Sequence, residues 1–266
     1  MAEPAVEIGW VQLALASALV LVAIALSAWQ RLGLGRSLVI GAIRALIQLT
    51  LIGYVLAWLF NTDRWYFVLG VLLLMTLTAT IAATDRQPGG VQARRRLRPI
   101  CFVSILVGSS LTLAYVGAVV VDVAPWYNPR YLIPLFGMIV GNAMNGAALA
   151  AERLQSEVEA GRAQIEAYLA LGATPEQATT EPARRATVAA MIPTINALAV
   201  VGVVSLPGMM TGQILAGSAP TLAVRYQLVV VFMLTTATAL TAAGIVLWYR
   251  KTFFTAAAQL LPRASV

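Results

Sequence analysis

Few side chains in this 266-residue chain can do chemistry, and the scarcity narrows the options. There is no histidine and a single cysteine, Cys101, which rules out a disulfide framework and leaves little for a zinc or transition-metal site. No acid, base or nucleophile set of the kind an enzyme needs stands inside the apolar runs. What remains is one charge and a handful of amides and thioethers. Arg44 lies within an apolar run, with Gln48 one helical turn on, so "RALIQ" presents a cation and an amide on one face. A charge at mid-bilayer costs at least ~2.5–3.5 kcal/mol on insertion scales, so it faces protein or water. Two readings stand for Arg44. It is about 9 Å from the near end of its run at ~1.5 Å per residue, within snorkelling reach of the headgroups. Alternatively it is an anion-attracting or gating group at an inner mouth.

Asn142 and Asn145 in "GNAMNG" and Asn196 in "PTINA" are amides that need partners, either as glue between helices or as the lining of a polar path. Pro193 removes a backbone hydrogen bond three residues before Asn196, which an apolar medium tolerates only where another polar group is at hand. Met144, Met209 and Met210 offer soft thioether sulfur, although methionine in apolar helices more often fills gaps in packing. The residues themselves name no metal site.

The elements that carry these groups follow from composition. Sixty per cent of residues are hydrophobic and 11% charged, with a mean hydropathy of +0.82, values outside the soluble globular range. Seven stretches approach the roughly 20 apolar residues needed to cross a bilayer. They lie near 8–29, 38–60, 65–84, 100–121, 131–151, 187–206 and 226–249. The expected fold is therefore an all-α membrane protein, one permease-like domain over 1–266 with seven transmembrane helices. The leader MAEPAVE is acidic and the first apolar run long, unlike a cleaved signal peptide.

Arginine and lysine set the orientation. Alternating loops put Arg31, Arg36, Arg86, the Arg94–Arg98 cluster, the 153–185 arginines, Arg250, Lys251 and Arg263 on one side. Only Arg64, Arg130 and Arg225 fall on the other. That asymmetry predicts the N-terminus outside and the C-terminus in the cytoplasm of a cell membrane, with no role in nucleic-acid binding for the net charge of +7. Gly137 and Gly141 form a GxxxG in the fifth run, and the seventh reads TTATALTAAG. Small residues let helices approach, within one chain or between subunits. The stretch 205–220 reads as an outer loop, open to a re-entrant path.

Between the fifth and sixth runs lies a polar segment, 152–186, with helical periodicity in its first half. Arg153–Glu157 and Arg162–Glu166 are i,i+4 pairs. With no proline between Pro134 and Pro175, the fifth run is expected to continue as one rod of about 40 residues, roughly 60 Å long. Gly172 then stops the rod as a C′ residue, and Thr174-Pro175-Glu176-Gln177 opens a short helix with a capping-box pattern. A long arm ending in a short rigid helix suits a coupling element seated in a cytoplasmic motor. A loop that merely happens to be helical is the plain alternative.

The segment "EAYLALGATP" resembles the EAA-type loop of ABC importer permeases, with Glu166 and Gly172 six apart. It departs from that loop further on, where Pro182 stands in place of an I-x-L-P and "MIPT" arrives only at 191–194. A broader likeness rests on five ordered blocks: "GAIRALIQLTLIGYVL" (41–56), "GMIVGNAMNG" (137–146), "LALGATPEQA" (169–178), "MIPTINALAVVGVVSLPGMMTGQILAG" (191–217) and "RYQLVVVFML" (225–234). With them the chain resembles the FetB family of ABC permeases, tied in bacteria to iron export and in plants to aluminium tolerance and UDP-glucose transport. The resemblance implies a permease homodimer that docks two copies of a separate ATPase, with the ATP and magnesium held there and no cofactor on this chain. It places the docking residues at Glu166, Leu171, Gly172, Ala173, Thr174, Pro175 and Glu176. The only lysine, Lys251, has no P-loop pattern around it, so nucleotide hydrolysis is not expected here. Iron rests on the resemblance alone. A phosphate-bearing cargo such as a nucleotide-sugar is the alternative, and a secondary transporter is the rival class. That class would call for carboxylates in the spans and an inverted repeat.

Overall fold

The computed structural model describes residues 9–61, 64–85, 87, 90–121 and 125–261. The leader, Arg86 and Arg263 lie outside them. The described residues contain ten α-helices and no strand, only two isolated β-bridges. They fall into two units.

The smaller unit is a helical hairpin, α1 (Trp10–Trp29) and α2 (Gly35–Phe60), grouped with Leu215–Gly217. Apolar side chains surround both helices, which suits segments whose solvent is lipid. The hairpin turn is closed by buried Ser27, whose Oγ accepts from the Leu34 N–H at 3.1 Å.

The larger unit is a helix bundle. It comprises α3 (Trp65–Asp85), α4 (Val91–Tyr115), α5 (Pro129–Ala160), α6 (Arg162–Ala170), α7 (Pro175–Ala178), α8 (Thr180–Val200), most of α9 (Gly208–Leu215) and α10 (Pro220–Tyr249). A π-helical turn, Val116–Val121, extends α4, and a 3₁₀ turn, Arg250–Phe253, extends α10. α10 packs on α4, α5 and α8, and α5 also meets α3, α4 and α8.

Small residues make these contacts close. A Cβ on Gly108 of α4 would lie 2.6 Å from Thr241 Oγ1, and one on Gly244 of α10 would lie 2.9 Å from Ser104 Oγ. Gly146 of α5 is held against Thr238 in the same way. The small-residue run 235–244 is therefore the seam of the bundle. The GxxxG pair behaves differently: Gly137 faces Met75, while Gly141 has nothing within 4 Å of a Cβ.

Polar side chains in the bundle are satisfied mostly within their own helices. Thr76, Thr80 and Thr84, all buried on α3, each donate to the carbonyl four residues back at 2.8–2.9 Å. Thr235, Thr236 and Thr238 do the same on α10. Bonds that cross between elements include Gln87 Nε2 to Ala148 O at 2.9 Å and Thr241 Oγ1 to Ser104 O at 3.3 Å.

Six helices are long and apolar enough to span a membrane: 11–29, 35–60, 65–85, 91–120, 129–160 and 220–253. The expected span at 187–206 differs. Its helix, α8, begins earlier at Thr180, carries Glu181, Arg184 and Arg185 in its first turns, and ends at Val200. The chain then turns at 201–205, where Gly202 N–H donates to Ser205 O. The stretch 205–220, expected as a loop, contains the two turns of α9. The expected unbroken rod is also interrupted. Gly161, at φ −89° and ψ 9°, leaves helical geometry and separates α5 from α6. No proline was needed for that break, because glycine weakens a helix by itself.

Candidate functional site

Two features could carry function, a polar knuckle and a cavity. The knuckle starts where α6 ends. Gly172 has φ +91°, the left-handed region that only glycine enters without strain. Its N–H donates to Leu169 O, and Ala173 N–H donates to Tyr168 O, both at 3.0 Å. Together they form a Schellman motif, which satisfies carbonyls that the helix end would otherwise leave open. Two residues later the capping box closes: Gln177 N–H donates to Thr174 Oγ1 at 3.2 Å, and Thr174 N–H to Gln177 Oε1 at 2.8 Å. Pro175 occupies the first position of α7. Both ends of the turn are therefore fixed by local bonds.

The knuckle rests on a packed base. Ile165, Ala178 and Thr179 are buried, and α7 meets the 3₁₀ turn at 250–253, whose Phe253 is buried against Tyr249. Arg162 donates to Leu261 O and pairs with Glu166. Below, Glu157 on α5 pairs with Arg153 and with Arg185 of α8, and Glu181 pairs with Arg184 and Arg185. The hydrogen bond from Arg184, then that from Arg185, holds the Glu181 carboxyl down to about 2. The outer surface is open: Glu166, Gly172, Thr174 and Glu176 are exposed and Ala173 and Pro175 half-buried. Leu171 is 85% exposed, an apolar side chain held out at the tip.

The cavity, about 260 Å³, lies in the bundle between α5, α8 and α10. It brings together three expected residues, Asn142, Asn145 and Pro193. Asn142 Nδ2 donates to Met138 O at 3.0 Å, which leaves its Oδ1 for the cavity. The same wall holds a residue that sequence reasoning missed. Gln227 of α10 is 6% exposed, and its Oε1 has no hydrogen-bond partner. An unsatisfied buried amide of this kind costs about 1–3 kcal/mol. Ser205, Thr194 and Thr235 add hydroxyls. The signal was available: Gln227 sits in an apolar run just as Gln48 does. A larger cavity of about 630 Å³ between α3, α4 and α5 is lined chiefly by leucine, alanine and aromatic side chains and offers a polar cargo little.

The other expected residues lie elsewhere. Asn196 is exposed and absent from the cavity wall, since it stands about 200° round the helix from Thr194. Met209 lines a separate cavity of about 340 Å³ with Met138 and Gln213, and Met144 and Met210 are half-buried outside both. Arg44 and Gln48 are exposed on α2 in the hairpin unit. No group of three or more His, Cys, Asp or Glu among the described residues could hold a metal ion.

Residues 10–254 match the model of the "Uncharacterised protein family (UPF0014)". The chain is 40% identical over 257 residues to the UPF0014 membrane protein STAR2 of rice, covering 95% of this chain and 86% of that one. It is 38% identical over 250 residues to the "Probable iron export permease protein FetB" of Escherichia coli, covering 94% and 93%. It is 35% identical over 254 residues to the Arabidopsis "Protein ALUMINUM SENSITIVE 3", covering 95% and 90%. No solved structure matches the chain. With its six membrane-length apolar helices and a family match over nearly its whole length, the chain is a multi-pass membrane protein that belongs to the UPF0014 family.

Proposed function

We propose that this chain is the membrane-spanning permease subunit of an ATP-driven transporter, working as a homodimer with a separate ATPase docked on residues 166–178. In this reading α8 completes a seven-span bundle, with the N-terminus outside and the knuckle and C-terminus in the cytoplasm. The cargo is iron or a related metal moved outward, and the cavity between α5, α8 and α10 lies on its path. The permease and iron-export parts draw on the name of the Escherichia coli relative.

The single observation that carries the docking role is the exposed, doubly capped knuckle with Leu171 at its tip. A rigid local turn placed on a braced arm transmits force, and an apolar side chain left in water at its apex suits a partner's cleft. Leu171→Asp tests this. It leaves every hydrogen bond of the knuckle in place, so the protein should insert and fold normally. Co-purification with the cognate ATPase should fall at least tenfold. Normal co-purification from that variant would reject the docking role.

A further inference from the structure

We infer that Gln227 is the cargo-contacting residue of the cavity and that the site takes a cation through neutral oxygen atoms. The inference deepens the transport reading above and rests on it for the term cargo.

Three observations lead there. Gln227 is more than nine-tenths buried, lines the cavity, and has an Oε1 with no donor from the protein. Across the cavity Asn142 uses its Nδ2 on Met138 O, so the atom it has left to offer is also a carbonyl oxygen. Thr235 likewise gives its proton to Val231 O and keeps only lone pairs. The polar groups with a known hydrogen-bond state thus present acceptors rather than donors.

Charge supports the same sign. No arginine or lysine lines the cavity, so an anion entering it would lose its water with nothing positive in exchange. A cation would exchange water oxygens for amide and hydroxyl oxygens, the ligand type that suits hard divalent ions. At about 260 Å³ the space falls below the roughly 300–1,000 Å³ of pockets that hold drug-sized ligands, which disfavours a nucleotide-sugar. The absence of a carboxylate gives binding weak enough for release, as conduction requires.

The test uses full-length protein in nanodiscs, without ATPase or nucleotide, and Mn²⁺ as the probe. Bound and free Mn²⁺ are separated by electron paramagnetic resonance. Gln227→Leu should weaken Mn²⁺ binding at least tenfold. Gln227→Glu, close to isosteric, should tighten it, because a carboxylate replaces a carbonyl dipole. UDP-glucose, as the anionic probe, should not bind to either the wild type or the variants. Unchanged Mn²⁺ affinity in Gln227→Leu, weaker affinity in Gln227→Glu, or UDP-glucose binding abolished by Gln227→Glu would each overturn the inference. If Gln227→Leu fails to fold, the sign of the Gln227→Glu effect decides alone. Because the measurement needs no motor, a failure of ATPase docking leaves the Mn²⁺ result unaffected, and Leu171→Asp is judged separately.

Discussion

Replacing Gly172 by alanine isolates the backbone of the knuckle from everything else. A Cβ there meets nothing within 4 Å, so no steric clash confuses the result. The cost comes from φ alone: an L-residue in the left-handed region loses about 1–2 kcal/mol, and +91° lies beyond the centre of that region. The four-residue α7 is too short to be stable by itself, so this strain passes into the population of the folded turn. At 1.4 kcal/mol per tenfold, the apparent affinity for the ATPase should fall by up to about 10–30-fold, since affinity scales with the competent fraction. Gly172→Asn should lose less, because asparagine tolerates the left-handed region. The assay is equilibrium binding of purified ATPase to permease in nanodiscs, with thermal unfolding as the control for overall fold. Alanine and asparagine variants both binding within twofold of wild type would refute the idea that the Schellman turn sets docking.

Two more expectations follow from packing and charge. Gly108→Ala should destabilise the bundle by about 1–3 kcal/mol, because its Cβ would press on Thr241 Oγ1, Thr241 N and Ala237 O at 2.6, 3.2 and 3.3 Å. Gly141→Ala, with open space around it, should instead stabilise by up to ~1 kcal/mol, and thermal unfolding in detergent compares the two. The Glu181 clasp has a defined pH window. Its folded value of about 2 lies below the ordinary 4.5, so its stabilisation is full above 4.5 and is lost as pH falls toward 2. Hydrogen exchange across 180–186 should stay protected at pH 5 and lose protection toward pH 2, whereas Glu181→Gln should be unprotected throughout.

The parts of this molecule that sequence revealed are those set by near neighbours in the chain. Gly172, Thr174, Pro175 and Gln177 define the knuckle through bonds spanning three to five residues, so their pattern can be read directly. The Arg153–Glu157 and Arg162–Glu166 pairs are local for the same reason. Gly161 was harder, since a glycine inside a helical period is tolerated as often as it breaks one. Long-range facts were out of reach. Nothing in a single helix says that Asn142 and Pro193 share a cavity while Asn196 turns away, or that Gln227 from α10 completes the wall. Hydropathy identified the six strong spans and misplaced α8, whose charged first turns and early end shorten its apolar length.

The threonine ladders have a mechanical consequence. Each hydroxyl on Thr76, Thr80, Thr84, Thr235, Thr236 and Thr238 spends its proton on its own backbone. Such helices behave as self-contained rods, and they can slide or tilt past one another while breaking almost no bonds between them. In a medium without water to heal a severed contact, that lowers the friction of rearrangement and leaves shape, rather than hydrogen bonding, to decide which arrangement of the bundle prevails.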